Sequence, residues 1–221
     1  MGYPKRAFRV DYLAADFAEI AVETYLDAKV LFDKIKKQGF SWFGLEMKEL
    51  DKKSSIVITF CSMAIESFLN DYAAACFHDD KYYGSYDSLS IQNKFQLIVQ
   101  FILQKEFKKD VEPYGLLGKL TKNRNKLVHN KSYDGNVFFA NRQDKPSHDI
   151  SYYIQRDFNN VIDSIRAVVQ LVNYFEQNDL DTSACERMFA KFTLCLVENE
   201  KINPELKVLL DLGLNVSRIK K

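Results

Sequence analysis

Apolar residues return every three to four positions along most of the chain, the spacing that marks one face of an α-helix. Over 16–37 the apolar series is Phe17, Ile20, Ala21, Tyr25, Ala28, Leu31, Phe32 and Ile35, and Lys36, Lys37 and Gly39 form the stop. A second helix, with Ser54 or Ser55 as its cap, is predicted to reach Phe77. It is apolar almost all round, as the central helix of a bundle must be, and leaves one polar strip of Thr59, Ser62, Glu66 and Asn70. A third is capped by Ser88 or Ser90 and runs to Phe107, with Ile91, Phe95, Leu97, Ile98, Phe101 and Ile102 apolar. Pro113 opens a fourth, whose stripe is Leu116, Leu117, Leu120, Leu127 and Val128 and which ends at His129 or Asn130.

The segment after it breaks the helical period. Residues 137–139 and 150–154 read as two short strands of a hairpin flap, with Asp134, Gly135 and Pro146 as punctuation. The period resumes at 157–177, again after Thr182, and a last time from Pro204. The expectation is an all-α, up-and-down bundle forming one domain over 1–221. Its core spans 16–177, and residues 178–221 form a helical appendage.

Composition narrows the function classes. A hydrophobic share of 47%, with 17 Phe and 12 Tyr, supplies a sizeable core, and only 8 Gly and 4 Pro in 221 residues argue against a loop-rich or all-β fold. The formal net charge of +1 gives no global field for a polyanion, so any contact with RNA must be local. Cys61, Cys76, Cys185 and Cys195 form no Cys-x-x-Cys pair and have no His at ligand spacing, which reads as four free thiols in a reducing compartment. Lys5, Arg6, Arg9, Asp11 and Asp16 interrupt the N-terminus, and no apolar run nears a membrane span. The expected location is the cytoplasm, with no membrane contact.

Chemistry concentrates at the end of the fourth helix. Arg124 stands four after Leu120 and four before Val128, inside the apolar stripe, and Asn125 and His129 share the flank beside it. An arginine keeps its charge at any working pH, so there it must meet a carboxylate or line a polar cleft. Glu66, a carboxylate in the middle of a buried helix, wants a cation, and Arg124 is its natural candidate partner. Lys119, Lys122, Lys126 and Lys131 surround the stretch and could form a local phosphate-attracting patch.

Arg124-Asn125-Lys126-Leu127-Val128-His129 resembles the Arg-Asn-x-x-x-His signature of the HEPN (higher eukaryotes and prokaryotes nucleotide-binding) superfamily. The order of elements over 16–177, with a Glu-bearing central helix before the motif helix, is similar too. The resemblance implies an all-α homodimer that pairs its motif helices around RNA and cleaves it without metal or other cofactor. It assigns His129 as general acid or base, Arg124 as stabiliser of the charge on the five-coordinate phosphate, and Asn125 as an orienting group. Glu66 would position Arg124 with help from Asn70, while Lys122, Lys126 and Lys131 would hold RNA. Toxins and defence effectors, often with a partner or antitoxin, are where such resemblances commonly lead.

Two other functions compete. The same helices could serve a non-catalytic module that binds RNA or a partner protein, with Arg124 and Glu66 a structural ion pair and His129 a histidine favoured by the helix dipole. Alternatively, His78, Asp79 and Asp80 could serve a metal-dependent hydrolase, although three consecutive residues at a helix–loop junction do not by themselves make a metal site.

Overall fold

The computed structural model describes residues 13–39, 45–77, 86–128, 150–179, 184–198 and 202–215. Seven helices account for most of them: α1 (Leu13–Gln38), α2 (Leu45–Phe77), α3 (Ile91–Leu97, continued as a π-turn over Ile98–Ile102), α4 (Tyr114–Val128), α5 (Ile150–Asn178), α6 (Ala184–Glu198) and α7 (Pro204–Asp211). No strand occurs among the described residues, and the fold is all-α. Within them, no helix is long and apolar enough to cross a membrane.

Side-chain pairs fix the directions of the helices. Phe17 meets Phe60, Asp27 accepts from Lys53, and Lys34 pairs with Glu46, so α1 and α2 run antiparallel. Phe68 packs edge-on against Phe175 and Tyr72 donates to Asp179, so α2 and α5 run parallel. Lys119 reaches Asp163 at 3.1 Å, while Asn123 and Lys126 share a cleft with Ile154 and Asp157, so α4 descends antiparallel to α5. The centre is an aromatic cluster of Phe68 and Tyr72 from α2, Phe95 from α3, and Tyr174 and Phe175 from α5. A second stack, Phe32 on Phe158 at 4.1 Å, ties α1 to the start of α5.

The residues expected to form an appendage join this core. Cys185, Met188, Phe189 and Phe192 of α6 and Leu206 and Leu209 of α7 are buried with the residues of α1 and α5. Of the cysteines, Cys61 and Cys185 are free thiols buried in the core. Burial pushes the Cys61 thiol up, and burial, then Glu176 and Glu186, pushes Cys185 up to about 12.

Three boundaries differ most from the sequence expectation. α2 begins at Leu45, because Met47 and Leu50 extend its buried face one residue set earlier; Ser54 and Ser55 are interior, with Ser55 Oγ donating to the Asp51 carbonyl. α3 stops at Ile102, where the π-turn shifts the register and Gln104 takes φ +54°; Phe101, expected inside, is 66% exposed. Residues 150–154 are the first turns of α5, since Ile154 and Phe158 continue its inward stripe at helical spacing, so half of the expected flap is helix. Residues 137–139, the other half, and Thr182 lie outside the described residues. The helix of 157–177 thus spans 150–178.

Of the two expected caps for α3 it is Ser90 that acts, and α7 starts at Pro204 as expected, with Asn203 as a cap that the sequence reading did not name. Ser90 Oγ accepts from the Asn93 amide at 3.3 Å, and Asn203 Oδ1 accepts from the Leu206 amide at 2.8 Å ahead of Pro204. Ser90→Ala is expected to cost about 1 kcal/mol, read as a lower urea midpoint at unchanged slope. At Gly118 α4 comes so close to α3 that a Cβ would sit 2.7 Å from the amide of Gln92, whose Nε2 reaches the Tyr114 carbonyl. That contact seats the helix carrying the candidate chemistry.

Candidate functional site

The inner stripe of α4 is buried only in its first part. Leu117 and Leu120 are fully covered, whereas Leu127 is partly exposed and Val128 is 56% exposed. The last turn therefore leaves the core, and Arg124 sits at this transition, half-buried. Its guanidinium meets no carboxylate among the described residues. Its hydrogen bond is a long one, Nη1 donating to Asn125 Oδ1 at 3.4 Å. Arg124 and Asn125 are thus brought together at the helix end. His129 and Lys131 lie outside the described residues.

Glu66 does not position Arg124, contrary to expectation. Its carboxylate accepts from Lys94 Nζ at 3.3 Å, and Asn70 Oδ1 accepts from the same ammonium at 2.8 Å. Lys94 is fully buried, and its ammonium also lies 5.8 Å from the centre of the Tyr86 ring. The cause is axial register. The end of α4 lies beside the stretch of α2 around Ser54 and Ile58, and Glu66 is eight residues, or about 12 Å, further along. At that height α2 faces α3, and Glu66 and Asn70 of the polar strip hold Lys94. Asn70 likewise serves Lys94.

The lysines divide in two. Lys119 is committed to Asp163 at 3.1 Å, with Arg166 Nη1 3.8 Å from the same carboxyl group. Lys122 and Lys126 are exposed and meet no carboxylate among the described residues. With Arg124 they place three positive charges, none paired with a carboxylate among the described residues, on the last two turns of α4, a helix with no acidic residue of its own.

Beside them opens a cleft of about 270 Å³ between α2, α4 and the start of α5. Its apolar lining includes Met47, Leu50, Ile58 and Phe158, and its polar groups include Asp51, Asn123, Lys126 and Asp157. Burial, then the nearby Asp157, holds the Asp51 carboxyl above the usual range. Asn123 is only 9% exposed, yet its amide has no hydrogen-bond partner among the described residues.

Sequence reasoning missed both Asn123 and Lys94, and the same signal marks each. Asn123 lies three after Leu120 and four before Leu127, and Lys94 three after Ile91 and four before Ile98. Both are polar interruptions of an inward stripe.

No group of three His, Cys, Asp or Glu side chains gathers as a metal site among the described residues, and His78, Asp79 and Asp80 lie outside them. Comparison of the chain with protein-family models, with curated proteins and with solved structures returns no match.

Proposed function

We propose that the chain is a metal-independent endoribonuclease of HEPN type, cutting RNA by attack of a ribose 2′-hydroxyl on the adjacent phosphorus. The observation that carries this reading is the state of Arg124: half-buried, paired with no carboxylate among the described residues, beside Asn125 on the outermost turns of the motif helix. A guanidinium neutralised by Glu66 would be a structural ion pair. An uncommitted one retains its planar donor fork for a phosphate.

In the reaction a His129 imidazole takes the 2′-hydroxyl proton, the 2′-oxygen bonds to phosphorus, and the 5′-oxygen leaves. A protonated His129, in the second copy of a homodimer, returns a proton to that 5′-oxygen, giving a 2′,3′-cyclic phosphate and a 5′-hydroxyl. An imidazole with an ordinary pKa near 6.5 can serve in either state. Arg124 stabilises the extra negative charge on the five-coordinate phosphorus. Asn125 orients the phosphate or the imidazole, and Lys122, Lys126 and Lys131 draw in the strand. The exposed apolar end of α4, Leu127 and Val128, supports pairing of two copies beside the motif. Destruction of RNA in this manner suits a toxin or defence effector, held in check by an antitoxin or other partner.

The same exposed end also supports the second reading, a non-catalytic module whose motif helix holds a partner protein. The experiment is cleavage of a broad RNA panel by purified protein with chelator present, and identification of the product ends. Cyclic-phosphate ends that vanish in His129→Ala are expected. A folded, dimeric wild-type protein that leaves every RNA intact would move the reading to the interaction module.

A further inference from the structure

The cleft beside the motif combines apolar walls with the amide of Asn123, which no described residue engages. Phe158 and Ile58 contribute to its walls, Asn123 lies at its inner side, and Asp51 and Asp157 bring two carboxylates. These carboxylates accept hydrogen bonds only, whereas the amide both donates and accepts. A volume of about 270 Å³ lies at the small end of ligand pockets and admits a flat heterocycle.

We propose that this cleft binds a nucleobase presenting two adjacent N–H donors, as guanine does. One carboxylate, assigned here to Asp51, accepts from guanine N1–H and N2–H, and the Asn123 amide donates to a guanine acceptor, O6 or N7. Other bases match this set less well. Adenine offers the carboxylate an acceptor, N1, beside its N6 donor; cytosine does the same with N3 beside N4; uracil flanks its single N–H with two carbonyls. Lys126 also lines the cleft, so a purely cationic occupant would meet a like charge, while a nucleotide would bring a phosphate to it.

The inference deepens the ribonuclease reading and rests on it for one consequence. Asn123 and Arg124 are neighbours about 100° apart on α4, so a seated guanine places its own or an adjoining phosphate near Arg124. Cleavage would then fall next to guanines.

Base binding is testable apart from cleavage. The full chain is titrated by calorimetry with GMP, AMP, CMP and UMP, and with methylguanidine as a purely cationic probe. GMP is expected to bind at least about tenfold more tightly than the other nucleotides, a difference of the size that one good bidentate pair provides. Asp51→Asn, a change at an exposed side chain, should reduce that preference to within about threefold, and Asn123→Ala should weaken GMP by a similar factor. Equal affinity for the four nucleotides, no binding of any of them, tighter binding of methylguanidine, or an intact preference in Asp51→Asn overturns the assignment. His129→Ala should still bind GMP. RNA cleavage without GMP preference would defeat this inference alone, and GMP preference without cleavage would defeat the ribonuclease reading alone.

Discussion

Arg124→Ala is expected to lower RNA cleavage by about 10²–10³-fold, the usual effect of removing one donor aimed at transition-state charge, while leaving the fold almost unperturbed. The stability half of this expectation follows from the pairing. Arg124 has only a long bond to Asn125 and meets no carboxylate among the described residues, so its loss should change unfolding by less than about 1 kcal/mol. Had it been the buried partner of Glu66, the same change would cost about 3–5 kcal/mol. Arg124→Lys keeps the charge without the planar fork and should recover only part of the activity. Single-turnover cleavage and urea unfolding on the same preparations decide the matter. A variant that cleaves normally removes Arg124 from the mechanism, and one that loses several kcal/mol makes it a structural residue.

The second large effect lies in the Lys94 groove, and its sign depends on which partner is removed. Glu66→Ala takes away the one carboxylate that, among the described residues, pairs with a fully buried ammonium, and leaves it Asn70 and the face of Tyr86. Stranding a buried charge costs about 3–5 kcal/mol, and the lower end applies here because the Glu66 side chain is 40% exposed. Lys94→Met removes the charge while keeping most of the side-chain volume, and leaves behind a carboxylate that water can reach. It should cost less than about 1 kcal/mol. Urea unfolding of the two variants gives the comparison directly, and equal losses would refute the register described above. Glu66→Gln adds a functional arm. Its loss should appear in stability, with cleavage per folded molecule unchanged, because Glu66 does not position Arg124.

Much of the bundle was legible in the chain because burial of a helix is a local pattern. A stripe such as Ala21, Tyr25, Ala28, Phe32 and Ile35 names its buried face without reference to its neighbour, and Ser90 and Pro204 mark helix starts through their local backbone chemistry. Where the pattern was short the local reading failed. Residues 150–154 hold five consecutive positions of mixed polarity, and only packing of Ile154 with Phe158 at the end of a long helix decides against a strand.

For the candidate site, the sequence by itself determined which side chains share a face at the end of α4: Arg124 in the stripe, with Asn125 beside it. It also showed that Glu66 and Asn70 form one polar strip in need of a cation. Tertiary structure alone decided which cation fills it, because helical periodicity specifies an angle around the axis and carries no information about height along a neighbouring helix. That height is set by contacts between residues far apart in sequence, such as Phe68 with Phe175 and Lys119 with Asp163. Those contacts put Lys94 at Glu66, leave Arg124 without a carboxylate among the described residues, and open beside it the cleft that Asn123 lines.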